Sequence, residues 1–272
     1  MNSEKSKDNR NTVKEFCPFC DHAGFIRNPY YRETGEDPLT PCPRCVTVNC
    51  KCGGEDPYFY YDNGIRECPC RKVRMKIDRI KIIYERAGLD LKYRWRFISE
   101  FESRNKLTEG AKSIAYDIIN SFPNVRKGLF FWGNPGSGKT LLASIILTEL
   151  ITRHAVEGRF IKISRSFLNR LRASFVEGSE SYGTAGRIEQ EVAEVDVLVV
   201  DDFGVQRDTP WEQETLYNLV DARYEAEKFT IFTSNSDPFK TLKEISEGRV
   251  LSRIKEMCRI VEISGPDYRD KL

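Results

Sequence analysis

Two sets of residues in this 272-residue sequence have the types and spacing to do chemistry. The first is Gly133-Asn134-Pro135-Gly136-Ser137-Gly138-Lys139-Thr140, a G-x-x-x-x-G-K-T loop followed by Leu141. Glycines let a backbone curl so that successive N–H groups point at phosphate oxygens, and a following helix N-terminus reinforces that field. Lys139 would add a cation at the β- and γ-phosphates, and the Thr140 hydroxyl would be a Mg²⁺ ligand. The second set is eight of the nine cysteines, in four pairs: Cys17 and Cys20, Cys42 and Cys45, Cys50 and Cys52, Cys68 and Cys70. Paired thiolates on tight turns are metal ligands.

Both sets need elements to hold them. The loop is preceded by an apolar strand, Gly128–Trp132, and followed by an apolar helix from Leu141. Further strands are expected over 159–163, 195–200, 229–233 and 259–263, alternating with helical stretches such as 107–121 and 166–175. That alternation argues for an α/β fold, a parallel five-stranded sheet with helices on both faces. Ligands in such sheets sit at the carboxyl ends of the strands, where Asp201, Asp202 and Asn235 fall. Asp201, closing an apolar run, is a Mg²⁺-holding acid; Asp202 is placed to orient an attacking water, and Asn235 to bond that water or the γ-phosphate.

The cysteine pairs suit two metal ions. Sequential pairing puts Cys17, Cys20, Cys42 and Cys45 on one ion and Cys50, Cys52, Cys68 and Cys70 on the other; a nested arrangement is the alternative. Zn²⁺ fits thiolate-only tetrahedral sites, and an Fe–S cluster also takes four thiolates. A module this short has little core, so metal would supply its folding energy. DNA contact, protein docking and a purely structural clip are all open roles for it. His22 reads as a neighbour of the first knuckle rather than a ligand, and Tyr58–Ile65 as a hairpin with an Asp-Asn-Gly turn. Cys258 reads as a small buried hydrophobe.

From Arg71 a helix is expected, with Val73, Ile77, Ile80, Tyr84 and Ala87 on one face, basic residues elsewhere and Gly88 as its stop. The segment Ala87–Arg94 leads towards the nucleotide domain, where Tyr93 could border an adenine. Lys162, Arg165, Arg170 and Arg172, with Phe167 and Phe175, have the mixture that suits single-stranded nucleic acid, although both phenylalanines read first as core. Residues 177–187 read as a flexible loop. The boundaries expected are a disordered lead-in over 1–14, a Cys-rich zinc-binding module over 15–70, a basic helix and linker over 71–106, and the nucleotide domain over 107–272.

Composition removes other classes. Net charge is +2, so a basic nucleic-acid surface must be local. No apolar run approaches the roughly 18 residues a membrane span needs, and the polar start lacks a secretory h-region. Together these predict a cytoplasmic protein, the compartment where clustered cysteines bind metal rather than pair as disulfides.

From about Arg71 onward the chain resembles the bacterial AAA+ replicative-helicase loaders of the DnaC/DnaI type and the related ATPases of IstB-type transposition systems. The resemblance rests on Ala87–Arg94, the phosphate loop, Leu198–Gly204, Asp221–Tyr224, Thr233–Asn235, Gly248–Ile254 and Gly265–Arg269. It implies an AAA+ P-loop ATPase domain binding ATP and Mg²⁺, with Asn235 as the sensor-1 residue, Arg253 as the arginine finger reaching a neighbouring subunit, and Arg269 at the sensor-2 position. It implies a loader that self-associates, binds a hexameric replicative helicase and assists its loading on single-stranded DNA in replication, the cysteine module and basic helix contacting the helicase. An IstB-like ATPase regulating a transposase on duplex DNA is the alternative, and a nucleotide-gated binding module with negligible turnover is a third reading. Asp202 stands where many AAA+ motors have Glu, which implies slow hydrolysis stimulated by partner or DNA. With the sequence ending at Leu272, no helical lid is expected after Arg269.

Overall fold

The computed structural model describes residues 17–204, 209–243 and 245–267. The lead-in and Arg269 lie outside the described residues. The chain divides into two compact units, one ending at Lys81 and one starting at Ile82.

The first unit holds two short antiparallel hairpins, β1 (Phe25–Arg27) with β2 (Leu39–Pro41) and β3 (Phe59–Tyr61) with β4 (Ile65–Glu67). The turn between β3 and β4 is Asp62-Asn63-Gly64, in which Asn63 and Gly64 take positive φ. Helix α1 (Arg71–Arg86) begins in this unit and ends in the second. Its first half is tied to the hairpins by Tyr58 donating to Asp78 at 2.9 Å and by ion pairs Arg71–Glu67 and Lys81–Asp37 at 2.8 and 2.9 Å.

The second unit is a doubly wound parallel sheet. Its elements run α2 (Lys106–Ser121), β5 (Gly128–Trp132), α3 (Lys139–His154), β6 (Gly158–Lys162), α4 (Ala185–Glu194), β7 (Val197–Asp201), α5 (Pro210–Glu225), β8 (Phe229–Ser234), α6 (Arg249–Met257) and β9 (Cys258–Glu262). Strand order is β6-β7-β8-β5-β9, every neighbour parallel. The central strands are continuous apolar runs because both faces are covered; β7 and β8 are buried along their whole length. Phe130, Phe203 and Phe232 meet with ring centroids 5.0–6.3 Å apart in one face of the core.

Two locks fix this unit. The end of α1 and the linker are seated on α3: Tyr84 and Thr148 share a hydroxyl hydrogen bond of 3.0 Å, Tyr84 stacks on Trp95 at 3.7 Å, and Glu149 accepts from the Ile98 N–H at 3.1 Å. Arg223 of α5, fully buried, donates to Thr230 and to the carbonyls of Val192, Ala193, Val195 and Phe229, closing the C-terminal end of α4. Burial pulls its guanidinium down to about 9.

Candidate nucleotide site and metal centres

The phosphate loop connects β5 to α3 at the carboxyl edge of the sheet. Gly138 occupies the N-cap position of α3 at φ +95°, a conformation that costs a residue with a Cβ. At Gly133 a Cβ would lie 2.2 Å from the Ile263 carbonyl oxygen, so glycine there is a packing requirement. The Asn134 amide clamps the chain's far end, donating to Gly265 O at 2.7 Å and accepting from Gly265 N–H at 2.9 Å. Lys139 is buried, its ammonium donating to Gly133 O and Asn134 O at 2.9 and 2.8 Å.

Asp201, the last residue of β7, is buried beside this loop. Its Oδ1 accepts from Thr140 Oγ1 at 2.7 Å and from Thr233 Oγ1 at 2.6 Å. Burial pushes the Asp201 carboxyl above the ordinary range, against the pull of the two hydroxyls. Thr140 and Asp201 are hard oxygen donors set side by side at a helix N-terminus, the donor chemistry Mg²⁺ takes. Asp202 follows at φ +59°, its N–H donating to Thr233 Oγ1 at 3.1 Å. Thr233 therefore organises both acids. Sequence reasoning quoted it within a motif and gave it no role; its position two residues before Asn235 on a buried strand was the available signal.

These groups line one cavity of about 600 Å³, walled by Lys92, Tyr93, Arg96, Pro135, Gly136, Gly138, Lys139, Thr140, Leu141, Lys162, Asp201, Asp202 and Asn235 among others. Tyr93, expected near an adenine, lies on this wall. Lys92, Arg96 and Lys162 were not expected there.

The cysteines gather sequentially, Cys17, Cys20, Cys42 and Cys45 in one cluster and Cys50, Cys52, Cys68 and Cys70 in the other. Sulfur–sulfur distances are 3.9 Å for Cys17–Cys42 and 3.7 Å for Cys20–Cys45. In the second cluster they are 3.7 Å for Cys50–Cys52, 3.7 Å for Cys50–Cys70 and 3.6 Å for Cys52–Cys70. Four sulfurs at the Zn–S bond length of a regular tetrahedron stand about 3.8 Å apart, so both clusters have the size a Zn²⁺ ion needs. Burial opposes ionisation of Cys68, but N–H donors, among them Lys51 at 3.2 Å, outweigh it and bring the thiol down to about 6. His22 turns its Nδ1 to the Cys17 N–H at 3.0 Å, a support for the first knuckle.

Residues 75–272 match the family described as IstB-like ATP binding protein. This chain is a member of that family. Among relatives, YdaV of Escherichia coli strain K12 is 26% identical over 218 residues, covering 78% of this chain and 83% of YdaV. The replicative helicase loader DnaC of the same strain is 28% identical over 160 residues, covering 57% of this chain and 62% of DnaC. The chain thus spans less than two thirds of the DnaC sequence. A crystal structure of the DnaC helicase loader superposes with a TM-score of 0.53 at 26% identity, covering 64% of this chain and 99% of that one. The sheet order and phosphate loop are those of an AAA+ ATPase domain, whose cofactors are ATP and Mg²⁺.

Outside the cavity of this IstB-like protein lies Arg253 of α6. It is paired with Asp221 of α5, donates from Nη2 to the Tyr217 hydroxyl at 2.9 Å, and lies over the Tyr217 and Tyr224 rings at 4.8 and 5.7 Å. Of the cationic set expected to face nucleic acid, the Arg165 side chain lies outside what the structure describes, and the other three are redistributed. Lys162 lines the nucleotide cavity and pairs with Asp90; Arg170 is 3.7 Å from Glu191; Arg172 pairs with the buried Glu212. Phe167 is core, as its apolar spacing suggested, but Phe175 is 61% exposed because the helical run stops at Ala173. No helix among the described residues is long and apolar enough to cross a membrane.

Proposed function

We propose that this IstB-like ATPase is an ATP-dependent loader that binds a hexameric replicative helicase and assists its placement on single-stranded DNA. The observation that carries this reading over others is similarity to DnaC in sequence and fold through the same ATPase domain. In this reading Lys139 turns from its own loop carbonyls to the β- and γ-phosphates, and Thr140 with Asp201 holds Mg²⁺, which supplies charge neutralisation at the terminal phosphates. Asp202 orients the attacking water and Asn235 bonds it or the γ-phosphate. Arg253, held by Asp221 and Tyr217, is presented to the nucleotide of a neighbouring copy, where an arginine stabilises charge on the transferring phosphoryl group; Arg269 adds a cation to the nucleotide of its own chain. Exposed Phe175 and Tyr182 supply stacking surfaces for DNA bases. The module bearing two Zn²⁺ ions docks on the helicase. The domain division that serves this reading is a lead-in over 1–14, the module over 15–70, the helix and linker over 71–106 and the motor beyond.

The second reading, an ATPase that regulates a transposase on duplex DNA, is favoured by the family match itself. Mass photometry separates the two. Zinc-replete protein, a non-hydrolysable ATP analogue and the cognate replicative helicase should give a complex of several copies on one helicase hexamer. Absence of that complex, together with nucleotide-dependent assemblies on duplex DNA, would overturn the loader reading in favour of the second.

A further inference from the structure

Lys162 closes β6 and is in register with Asp201 at the end of β7. Neighbouring parallel strands in register send paired side chains to the same face, so Lys162 and Asp201 share the face on which Asp201 meets Thr140. The Lys162 side chain lines the nucleotide cavity and also a smaller cavity beside it, lined by Asp90, Arg86, Ser166 and Glu191 among others. Its ammonium pairs with the Asp90 carboxylate. Asp90 is the N-cap residue of the turn Leu91–Tyr93, yet its side chain makes no cap hydrogen bond there. The carboxylate is directed to Lys162 instead.

The pair is half in solvent, with side-chain exposures of 25% and 40%. A pair this exposed adds little to stability and exchanges partners readily. Burial works against the charge of Lys162, but Asp90 and Asp201 outweigh it, so the cation persists at neutral pH. The cavity thus holds a second lysine next to its acidic residues, and that lysine is restrained by one carboxylate belonging to the linker.

We propose that Lys162 is a second phosphate-binding lysine of this site, which exchanges Asp90 for the terminal phosphate of a bound nucleoside triphosphate. The proposal rests on the reading of the cavity as an ATP site. A triphosphate is a stronger acceptor than a carboxylate for a nearby ammonium, since it offers more charge and more acceptor oxygens. A diphosphate lacks the terminal group and leaves the Lys162–Asp90 pair intact. Asp90 lies two residues from Lys92 and three from Tyr93, which line the same cavity. Presence of the terminal phosphate is thereby reported to the linker at Asp90.

Binding of fluorescent ATPγS and ADP analogues with Mg²⁺ tests this in the full chain. Lys162→Ala should weaken ATPγS about tenfold and change ADP less than twofold, and Lys162→Arg should restore most of the preference. Asp90→Asn, which removes the competing carboxylate, should move ATPγS affinity the other way, tightening it a few-fold with ADP unchanged. Equal loss for both nucleotides in Lys162→Ala, or no change in either variant while Lys139→Ala abolishes binding, would overturn the proposal and leave the ATP site standing. Failure of the unsubstituted protein to bind either nucleotide would sink the ATP-site reading and the proposal with it.

Discussion

Removing the metal from the cysteine module should unfold that module and leave the ATPase domain intact. Besides its cysteines, the buried apolar side chains among the described residues of the module are Phe25, Leu39, Val46 and Tyr58. Burying those four side chains contributes roughly 6–12 kcal/mol, whereas one structural zinc contributes about 10–16 kcal/mol. The two ions together therefore outweigh the apolar core they sit in. The ATPase domain has its own extended core, including Phe130, Val200, Leu216 and Phe232, with no cysteine ligand in it. Elemental analysis should find two zinc ions per chain. After chelation at neutral pH, amide exchange should speed up over 25–27, 39–41, 59–61 and 65–67 and stay slow in β5, β7 and β8. Cys42→Ser should lose one ion and deprotect the first hairpin before the second; Cys70→Ser should do the reverse. Hairpins that remain protected with both ions gone would refute the reasoning. Iron with visible absorbance in place of zinc would refute the choice of metal.

Three further outcomes follow from single side chains. Thr233→Val keeps the shape of the residue but removes the hydroxyl from Asp201; a hydrogen bond to a charged group is worth about 1.5–3 kcal/mol, so single-turnover hydrolysis should fall roughly ten- to a hundredfold with nucleotide affinity little changed. Asp201→Asn should melt higher than the unsubstituted protein at pH 7 without nucleotide, by scanning calorimetry, while losing hydrolysis. The folded-state pKa of Asp201 is raised, so its ionisation destabilises the fold as pH rises from the unfolded value through the raised one, and above that window asparagine removes the cost. Equal melting temperatures across the acid range would contradict that sign. Arg223→Met leaves three buried carbonyls, and the half-buried one of Ala193, without this donor, at about 1–3 kcal/mol for each buried one. A thermal melt of the motor should move down by roughly 10 °C or more, and a smaller shift would mean that water replaces the guanidinium.

Where chemistry is encoded in consecutive residues, the sequence alone carried it. The phosphate loop, the apolar run that ends at Asp201, the Asp-Asn-Gly hairpin and the basic helix stopping at Gly88 are local patterns. Turn geometry and side-chain periodicity act over a few residues, so they are legible without knowing what lies across the sheet. The five strands were readable for the same reason, with ends displaced by only a residue or two. What only the tertiary structure decided is which local patterns meet. The strand order β6-β7-β8-β5-β9 brings Thr233 against Asp201 and puts Lys162 in register with it, although the three are far apart in the chain. Lys162 looked like a nucleic-acid contact because its neighbours in sequence are arginines and phenylalanines; its neighbours in space are Asp90 and the nucleotide cavity. Arg223 stood in the sequence only as part of the Asp221–Tyr224 motif, with no role of its own, and the fold surrounds it with five acceptors. The cysteine pairs announced metal and favoured sequential over nested grouping, and the folding back of each hairpin brings the sulfurs to the separation of one tetrahedron. Spacing limits which contacts are possible, while the packing of whole elements selects among them.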